Sequence, residues 1–335
     1  MPLPIKKNVI LAPYTTFKIG GPAKYFFVLK NVNDLPLVLN WAKKKKLPVF
    51  IMAGGSNLLI SDKGYSGLVI LMKLNQIKME KNRLLVSPGL PLTNVLNFCL
   101  KNKLSGLEWA AGIPGTIGGA VVDNAGAFGQ SIGDLVEKVR VFNLNGFKII
   151  RKKDLKFSYR QSRFKKPNNK YIITQIWLKG FGKLTPEDKK LIITRLQKRK
   201  DNQPQLPSAG CVFKNFIPHR SANQRSGAGF TSQTALNSCE NFQSKIKVAK
   251  HGFDARFTPI PAGKLIQECG LKGKRINDAE ISEKHANFIV NRGQARAQDV
   301  LGLITLIKRE VKKKFKINLQ EEVLCVGFDK ENRKG

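Results

Sequence analysis

Apolar residues in this chain recur with two different periods. After Asn33, residues Leu35, Val38, Leu39 and Ala42 fall at i, i+3, i+4 and i+7. That spacing predicts a helix capped by Asn33, with Lys43 to Lys46 suiting its C-terminal end. A second apolar face of Val300, Leu303, Ile304, Ile307 and Val311 predicts a long amphipathic helix. Residues 92–100 read as a helix, and so do residues 261–270, with Gly270 as the stop. Another helix starts at Thr185-Pro186-Glu187-Asp188, with an N-cap, proline at the first position and acids in the first turn. It runs to about Lys200, and Pro204 and Pro207 close it. Short apolar runs predict strands near 25–29, 48–52, 68–72, 84–86, 138–142 and 171–178, and at the end of 282–291. A last strand is predicted over 319–328, with Glu321 and Glu322 on opposite faces, so that one of them points inward. Residues 217–257 show little periodicity and are rich in Ser, Asn, Gln and Arg, which predicts a long surface insertion.

The stretch 106–129, GLEWAAGIPGTIGGAVVDNAGAFG, fits neither period. Its glycine density argues against a helix or a central strand, because each glycine costs backbone entropy. A flexible linker is excluded by Trp109, Ile113, Ile117, Val121, Val122 and Phe128, which call for burial. A run that is glycine-rich and buried lets backbone N–H groups approach a flat or anionic ligand, the property of a cofactor cradle, the alternative being a tightly packed corner with no ligand. A second loop, Ala53-Gly54-Gly55-Ser56-Asn57, follows a predicted strand directly, and its amides and Ser56 and Asn57 side chains suit a pyrophosphate. Neither the G-x-G-x-x-G fingerprint nor the P-loop GKS/T occurs, so a standard dinucleotide domain and an NTPase are excluded. In Phe157-Ser158-Tyr159-Arg160-Gln161-Ser162-Arg163-Phe164, the arginine among aromatics reads either as a snorkelling surface residue or as a planar clamp for a carboxylate. Cys211, between glycine and an apolar pair, reads on general grounds as a small buried hydrophobe more often than as a reactive group.

At 335 residues, the chain is long enough for two or three domains. Five scattered cysteines with no CxxC pair argue against a disulfide framework or a zinc site, and for a reducing cytoplasm. No metal site is predicted. Met1 to Lys7 is too polar and proline-broken for a signal peptide, and no apolar run approaches the ~20 residues of a membrane helix. The net charge of +36, from 59 Lys and Arg against 23 Asp and Glu, creates a field attractive to any anion. The lysines are spread over nearly every segment and no base-stacking motif is visible. The charge therefore reads as a lysine-biased solvated surface rather than a nucleic-acid interface.

Eight runs, in order, resemble the UDP-N-acetylenolpyruvoylglucosamine reductases, the flavoenzymes that make UDP-N-acetylmuramate for peptidoglycan. They are TTFKIGGPA, AGGSNLLI, GLEWAAGIPGTIGGAVVDNAGAFG, YRQSRFK, SAGCVFKN, PAGKLIQECGLKG, SEKHANFIVN and LQEEV. SEKHANFIVN looks more like the family's shorter second type. The resemblance implies an α+β protein: a two-lobed FAD-binding domain of the vanillyl-alcohol-oxidase (PCMH) type plus a C-terminal α+β substrate-binding domain. The boundaries expected are 1–182, with lobes of about 1–72 and 73–182, a helical linker at 183–204, and a substrate domain at 205–330 carrying the insertion 217–257.

In such enzymes FAD takes hydride from NADPH and passes it to the vinyl carbon of UDP-N-acetylglucosamine enolpyruvate, and the charge left at the neighbouring carbon spreads into the carboxylate. By resemblance, Arg160 and Glu322 serve that carboxylate; a protonated Glu322 could donate to it, which would need a raised pKa. Cys211, at a position often held by serine, delivers the quenching proton. Gly54, Gly55, Ser56, Asn57, Gly115, Thr116, Gly118 and Gly119 would contact FAD, and Tyr159, Lys214 and Asn215 the substrate. A cytoplasmic monomer is expected. Three features depart from the family pattern: the long segment between Phe216 and Pro261, Glu321 and Leu324 where the family has proline and arginine, and the basic charge.

Overall fold

The computed structural model describes residues 3–166, 169–217 and 259–328. The chain divides into two compact units, one of residues 1–202 with 325–328 and one of residues 203–324 with 329–335.

In the first unit, the strands Lys6–Ile10, Pro22–Leu29, Tyr65–Met72 and Val49–Met52 lie side by side in that order. The first pair is antiparallel and the others are parallel. The helix Asp34–Lys44 makes the crossover and buries Leu35, Val38, Leu39 and Ala42. Burying each of the larger three is worth roughly 1.5–3 kcal/mol. Asn33 precedes this helix, but its side chain does not cap it. Instead its own N–H donates to Asn31 Oδ1 at 3.0 Å.

A second, antiparallel sheet has the order Gly146–Arg151, Val136–Asn143, Ile172–Leu178, Arg83–Val86, Ile77–Glu80. Its two outer strands are largely exposed and carry lysines and arginines, so no apolar run marked them in the sequence. The helices Leu92–Lys101 and Pro186–Asn202 belong to the same unit. Thr185 and Asp188 form a reciprocal cap at the start of the latter, with N–H to side-chain distances of 2.9 and 3.2 Å. The segment 325–328 returns to this unit, where the Val326 carbonyl accepts from the Ser61 N–H at 2.9 Å.

The glycine-rich stretch departs from the sequence expectation, because it contains the helix Ile117–Asp123 with Gly118 and Gly119 inside it. Tertiary packing overrides propensity here: Ile117 and Val121 are fully buried and Thr116 caps the helix. Phe128 also departs, being 52% exposed, with the guanidinium carbons of Arg195 and Arg199 lying 4.7 and 6.0 Å from its ring centre.

The second unit holds an antiparallel sheet of order Ser208–Cys211, Phe288–Asn291, Ala279–Ile281, Arg275–Ile276. The helix Ala297–Phe315 packs on it and buries Val300, Leu303, Ile304, Ile307 and Val311. The buried Glu280 is ion-paired with Arg275 and Arg292. The strand predicted over 319–328 is cut to Leu324–Val326, preceded by an isolated bridge between Phe213 and Glu321. Glu321 and Glu322 are both half-buried, so neither points fully inward. The predicted insertion at 217–257 lies, except for Ile217, outside the described residues.

Candidate active site

Three loops of the first unit meet at glycines. Gly55 has φ +64°, and a Cβ there would lie 2.2 Å from the Tyr14 carbonyl oxygen. Only glycine lets this turn close on the segment 12–16, and the Gly55 carbonyl accepts from the Thr16 N–H at 3.1 Å. On the other side, a Cβ on Gly54 would lie 2.8 Å from Gly115 Cα. Ser56 Oγ donates to the Pro114 carbonyl at 3.3 Å. The loops 53–57 and 114–116 are therefore in backbone contact. Thr116 then opens the short helix, its Oγ1 accepting from the Gly119 N–H at 3.3 Å. Asn57 Nδ2 donates to Asp123 Oδ2 at 3.2 Å, and Lys165 Nζ lies 2.7 Å from Asp123 Oδ1. Asp123 and Lys165 were not singled out from sequence, since a lone acid and a lone lysine carry no pattern there.

The two glycines inside the helix do different things. The Gly118 N–H donates to the Pro88 carbonyl at 2.9 Å, and a Cβ on Gly118 would sit 2.6 Å from Pro88 Cβ. Packing within the protein accounts for this glycine. At half-buried Gly119 an added Cβ would meet nothing closer than Thr116 Oγ1 at 3.8 Å and Ala53 Cβ at 3.9 Å. The protein leaves space beside Gly119 that its own packing does not require. Bare backbone along 53–57 and at Gly115 and Gly119, with the hydroxyls of Ser56 and Thr116, suits a flat cofactor carrying a pyrophosphate. From behind, Arg199 Nε on the helix Pro186–Asn202 donates to the Ala111 carbonyl at 2.8 Å.

Arg160 is tied to the same framework. Tyr159 and Arg160 form the tip of a turn closed by two Ser158–Gln161 backbone hydrogen bonds of 3.2 and 3.0 Å. Arg160 adopts φ +52°, a left-handed conformation that costs a non-glycine residue roughly 1–2 kcal/mol. Asn124 Nδ2 donates to the Ser158 carbonyl at 2.9 Å, and Ser162 Oγ to the Val122 carbonyl at 2.6 Å. Arg160 Nη1 donates to the Gly126 carbonyl at 3.2 Å. The half-buried guanidinium is thus held against backbone, as a clamp requires, rather than loose over the surface.

In the second unit, half-buried Cys211 ends the strand Ser208–Cys211 and pairs with Phe288. Gly210, at φ +76°, lies in the irregular part of that pairing between Ser208 and Cys211. The Val212 carbonyl accepts from the Glu322 N–H at 2.7 Å and from the Val323 N–H at 3.3 Å. The Lys214 N–H donates to the Gln320 carbonyl at 2.9 Å. Residues 211–214 and 320–323 are thereby laced together, which puts Cys211 and Glu322 on adjoining backbone. Asn215 Oδ1 accepts from the Ala262 N–H at 3.2 Å, at the start of the helix Ala262–Glu268. Among the described residues, no cluster of His, Cys, Asp and Glu has the makings of a metal site, and no helix is long and apolar enough to cross a membrane.

Comparison with known proteins places these features in a family. The FAD-binding domain family matches residues 23–150, the part that carries the loop 53–57 and the glycine cradle. The chain is an FAD-dependent oxidoreductase. The family of UDP-N-acetylenolpyruvoylglucosamine reductase C-terminal domains matches residues 202–326. The UDP-N-acetylenolpyruvoylglucosamine reductase of Clostridium tetani is 36% identical, over 98% of this chain and 94% of its own length. That of Prochlorococcus marinus is also 36% identical, over 97% and 98%. The crystal structure of the enzyme from Thermus caldophilus superposes with a TM-score of 0.71 and 31% identity, covering 96% of this chain and 99% of that one. The chain belongs to the UDP-N-acetylenolpyruvoylglucosamine reductase family.

Proposed function

We propose that this chain reduces UDP-N-acetylglucosamine enolpyruvate to UDP-N-acetylmuramate, using FAD and NADPH, for peptidoglycan precursor synthesis. The observation that carries the reading is the lacing of Cys211 and Glu322 through the Val212 carbonyl, in a chain that also builds a glycine cradle beside Arg160. Gly54, Gly55, Ser56, Asn57, Gly115, Thr116 and Gly119 hold the FAD, and Gly118 supports them by packing on Pro88. When bound, the cofactor carries hydride from NADPH to the terminal vinyl carbon of the substrate.

The residues supply the rest. Negative charge develops on the carbon next to the carboxylate and delocalises into it as an enolate. Arg160 meets that charge with a fixed cation, already oriented by Gly126, so little reorganisation is needed as charge builds. Glu322, protonated, donates a hydrogen bond to the same carboxylate. The Cys211 thiol gives its proton to the carbanionic carbon. A thiol is a stronger acid than the serine hydroxyl common at this position. Tyr159, Lys214 and Asn215 contact the substrate.

The chain acts as a monomer in the cytoplasm, a reducing compartment that suits its scattered cysteines. Residues 1–182 form the FAD-binding part, 183–204 the linker and 205–330 the substrate part. Stopped-flow measurement of the two half-reactions tests this reading. Flavin reduced by NADPH must be reoxidised anaerobically by the enolpyruvyl substrate, and failure of that second step would overturn it.

A further inference from the structure

One buried side chain in the second unit holds the backbone on which both proposed acids ride. Asn287 is only 3% exposed. Its Nδ2 donates to the Phe213 carbonyl at 2.8 Å, and its Oδ1 accepts from the Phe213 N–H at 2.9 Å. Its own carbonyl accepts from the Val212 N–H at 2.8 Å. The pairing of Ser208–Cys211 with Phe288–Asn291 ends at the Cys211–Phe288 pair. From there the Asn287 amide does what the next peptide group of a strand would do, offering one donor and one acceptor to Phe213. The same stretch then passes the connection on. The Val212 carbonyl holds the Glu322 N–H, and Phe213 bridges to Glu321. The Asn287 N–H donates to His285 Nδ1 at 3.2 Å, which fixes the turn that presents the amide.

We infer that Asn287 is a positioning residue for the second half-reaction, setting the backbone of Cys211 and Glu322 through its paired hydrogen bonds to Phe213. Asparagine is the side chain this needs. Aspartate keeps the acceptor but sets a carboxylate oxygen against the Phe213 carbonyl, and leucine leaves both Phe213 groups unpaired in the interior. The inference rests on the proposed roles of Cys211 and Glu322. A shift of about 1 Å in a reacting group costs on the order of 10²-fold in rate. Asn287 lies in the second unit and the glycine cradle in the first. Reduction by NADPH uses neither proposed acid and is therefore spared.

The test uses the FAD-loaded enzyme with Asn287→Asp and Asn287→Ser, in the wild-type and Cys211→Ala backgrounds, with thermal melts to establish folding. The serine variant keeps a hydroxyl for one of the two bonds and guards against loss of the fold in the aspartate variant. The expected result is unchanged flavin reduction by NADPH, flavin reoxidation by substrate slowed on the order of 10²-fold in Asn287→Asp, and a smaller loss in Asn287→Ser. The loss appears in the rate constant rather than in the substrate concentration giving half-maximal rate. In the Cys211→Ala background the same changes cost less, because the part that acts through Cys211 is already lost and only the part through Glu322 remains. Equal slowing of both half-reactions, or a full further loss in the Cys211→Ala background, would show a general structural role and overturn the inference. So would wild-type reoxidation rates in both Asn287 variants. Failure of the parent reading looks different: either the wild-type flavin is not reoxidised by substrate, or Cys211→Ala alone leaves reoxidation intact.

Discussion

Alanine at position 119 separates what the protein's packing requires from what the cofactor requires. Gly119 lies inside the helix Ile117–Asp123, and a Cβ there meets only ordinary van der Waals neighbours, at 3.8 and 3.9 Å. Glycine in a helix interior is about 0.8–1 kcal/mol worse than alanine. Without cofactor, Gly119→Ala should therefore melt at the same temperature as the wild type or higher. If FAD lies along this backbone, the added methyl fills the space it needs. Inserting a methyl into a packed contact costs typically about 1–3 kcal/mol, and each 1.4 kcal/mol is tenfold, so the Kd for FAD should rise by roughly five- to 140-fold. The assay is titration of apoprotein with FAD, followed by quenching of flavin fluorescence, beside melts of the same samples. Gly118→Ala is the contrast. Its Cβ would collide with Pro88, so it should lower the apoprotein melting temperature as well. A Gly119→Ala protein that is as stable as expected and binds FAD as tightly as the wild type would refute the placement of the cofactor along this helix.

Cys211→Ala should leave flavin reduction by NADPH intact and cripple reoxidation by substrate, while Cys211→Ser retains turnover; stopped-flow traces of both steps check this. Arg160→Met should lower kcat by roughly 10²–10³, the usual loss when a donor to developing charge is removed, measured as steady-state NADPH consumption at saturating substrate. Burial, reinforced by the negative charge of Glu108, pushes the Cys99 thiol up to about 12. Alkylation at pH 8 with mass-spectrometric readout should therefore label Cys99 only after denaturation. Burial also holds His285 below the usual imidazole value. The unfolded chain then takes up that proton first on acidification. The associated stability is complete above about pH 6.5 and falls as pH drops toward the folded value. Melts between pH 7.5 and 5 should show this slope, and His285→Gln should flatten it.

The apolar faces of the helices Asp34–Lys44 and Ala297–Phe315 were legible residue by residue, because burial on one side of a helix writes a 3.6-residue period into the sequence. The glycine loops were legible as places of close approach, because close approach needs missing side chains, as the Gly54–Gly115 and Gly55–Tyr14 contacts show. What was not legible depended on partners distant in sequence. Gly118 sits in a helix against its propensity because Pro88 occupies the space of its side chain. Phe128 is met by the guanidinium groups of Arg195 and Arg199, more than sixty residues later, rather than by a buried apolar cluster. The outer strands Ile77–Glu80 and Gly146–Arg151 present basic residues to solvent and so lack an apolar signature. Asn287 stood inside a recognisable motif, but no local pattern reveals that its amide reaches Phe213, 74 positions away.

The most direct test of the account is the visible spectrum of the purified protein under anaerobic conditions, first with NADPH and then with UDP-N-acetylglucosamine enolpyruvate. The flavin band should bleach on adding NADPH and return on adding the substrate. A protein that cannot be reconstituted with FAD, or a bleached band that the enolpyruvyl substrate fails to restore, would contradict it.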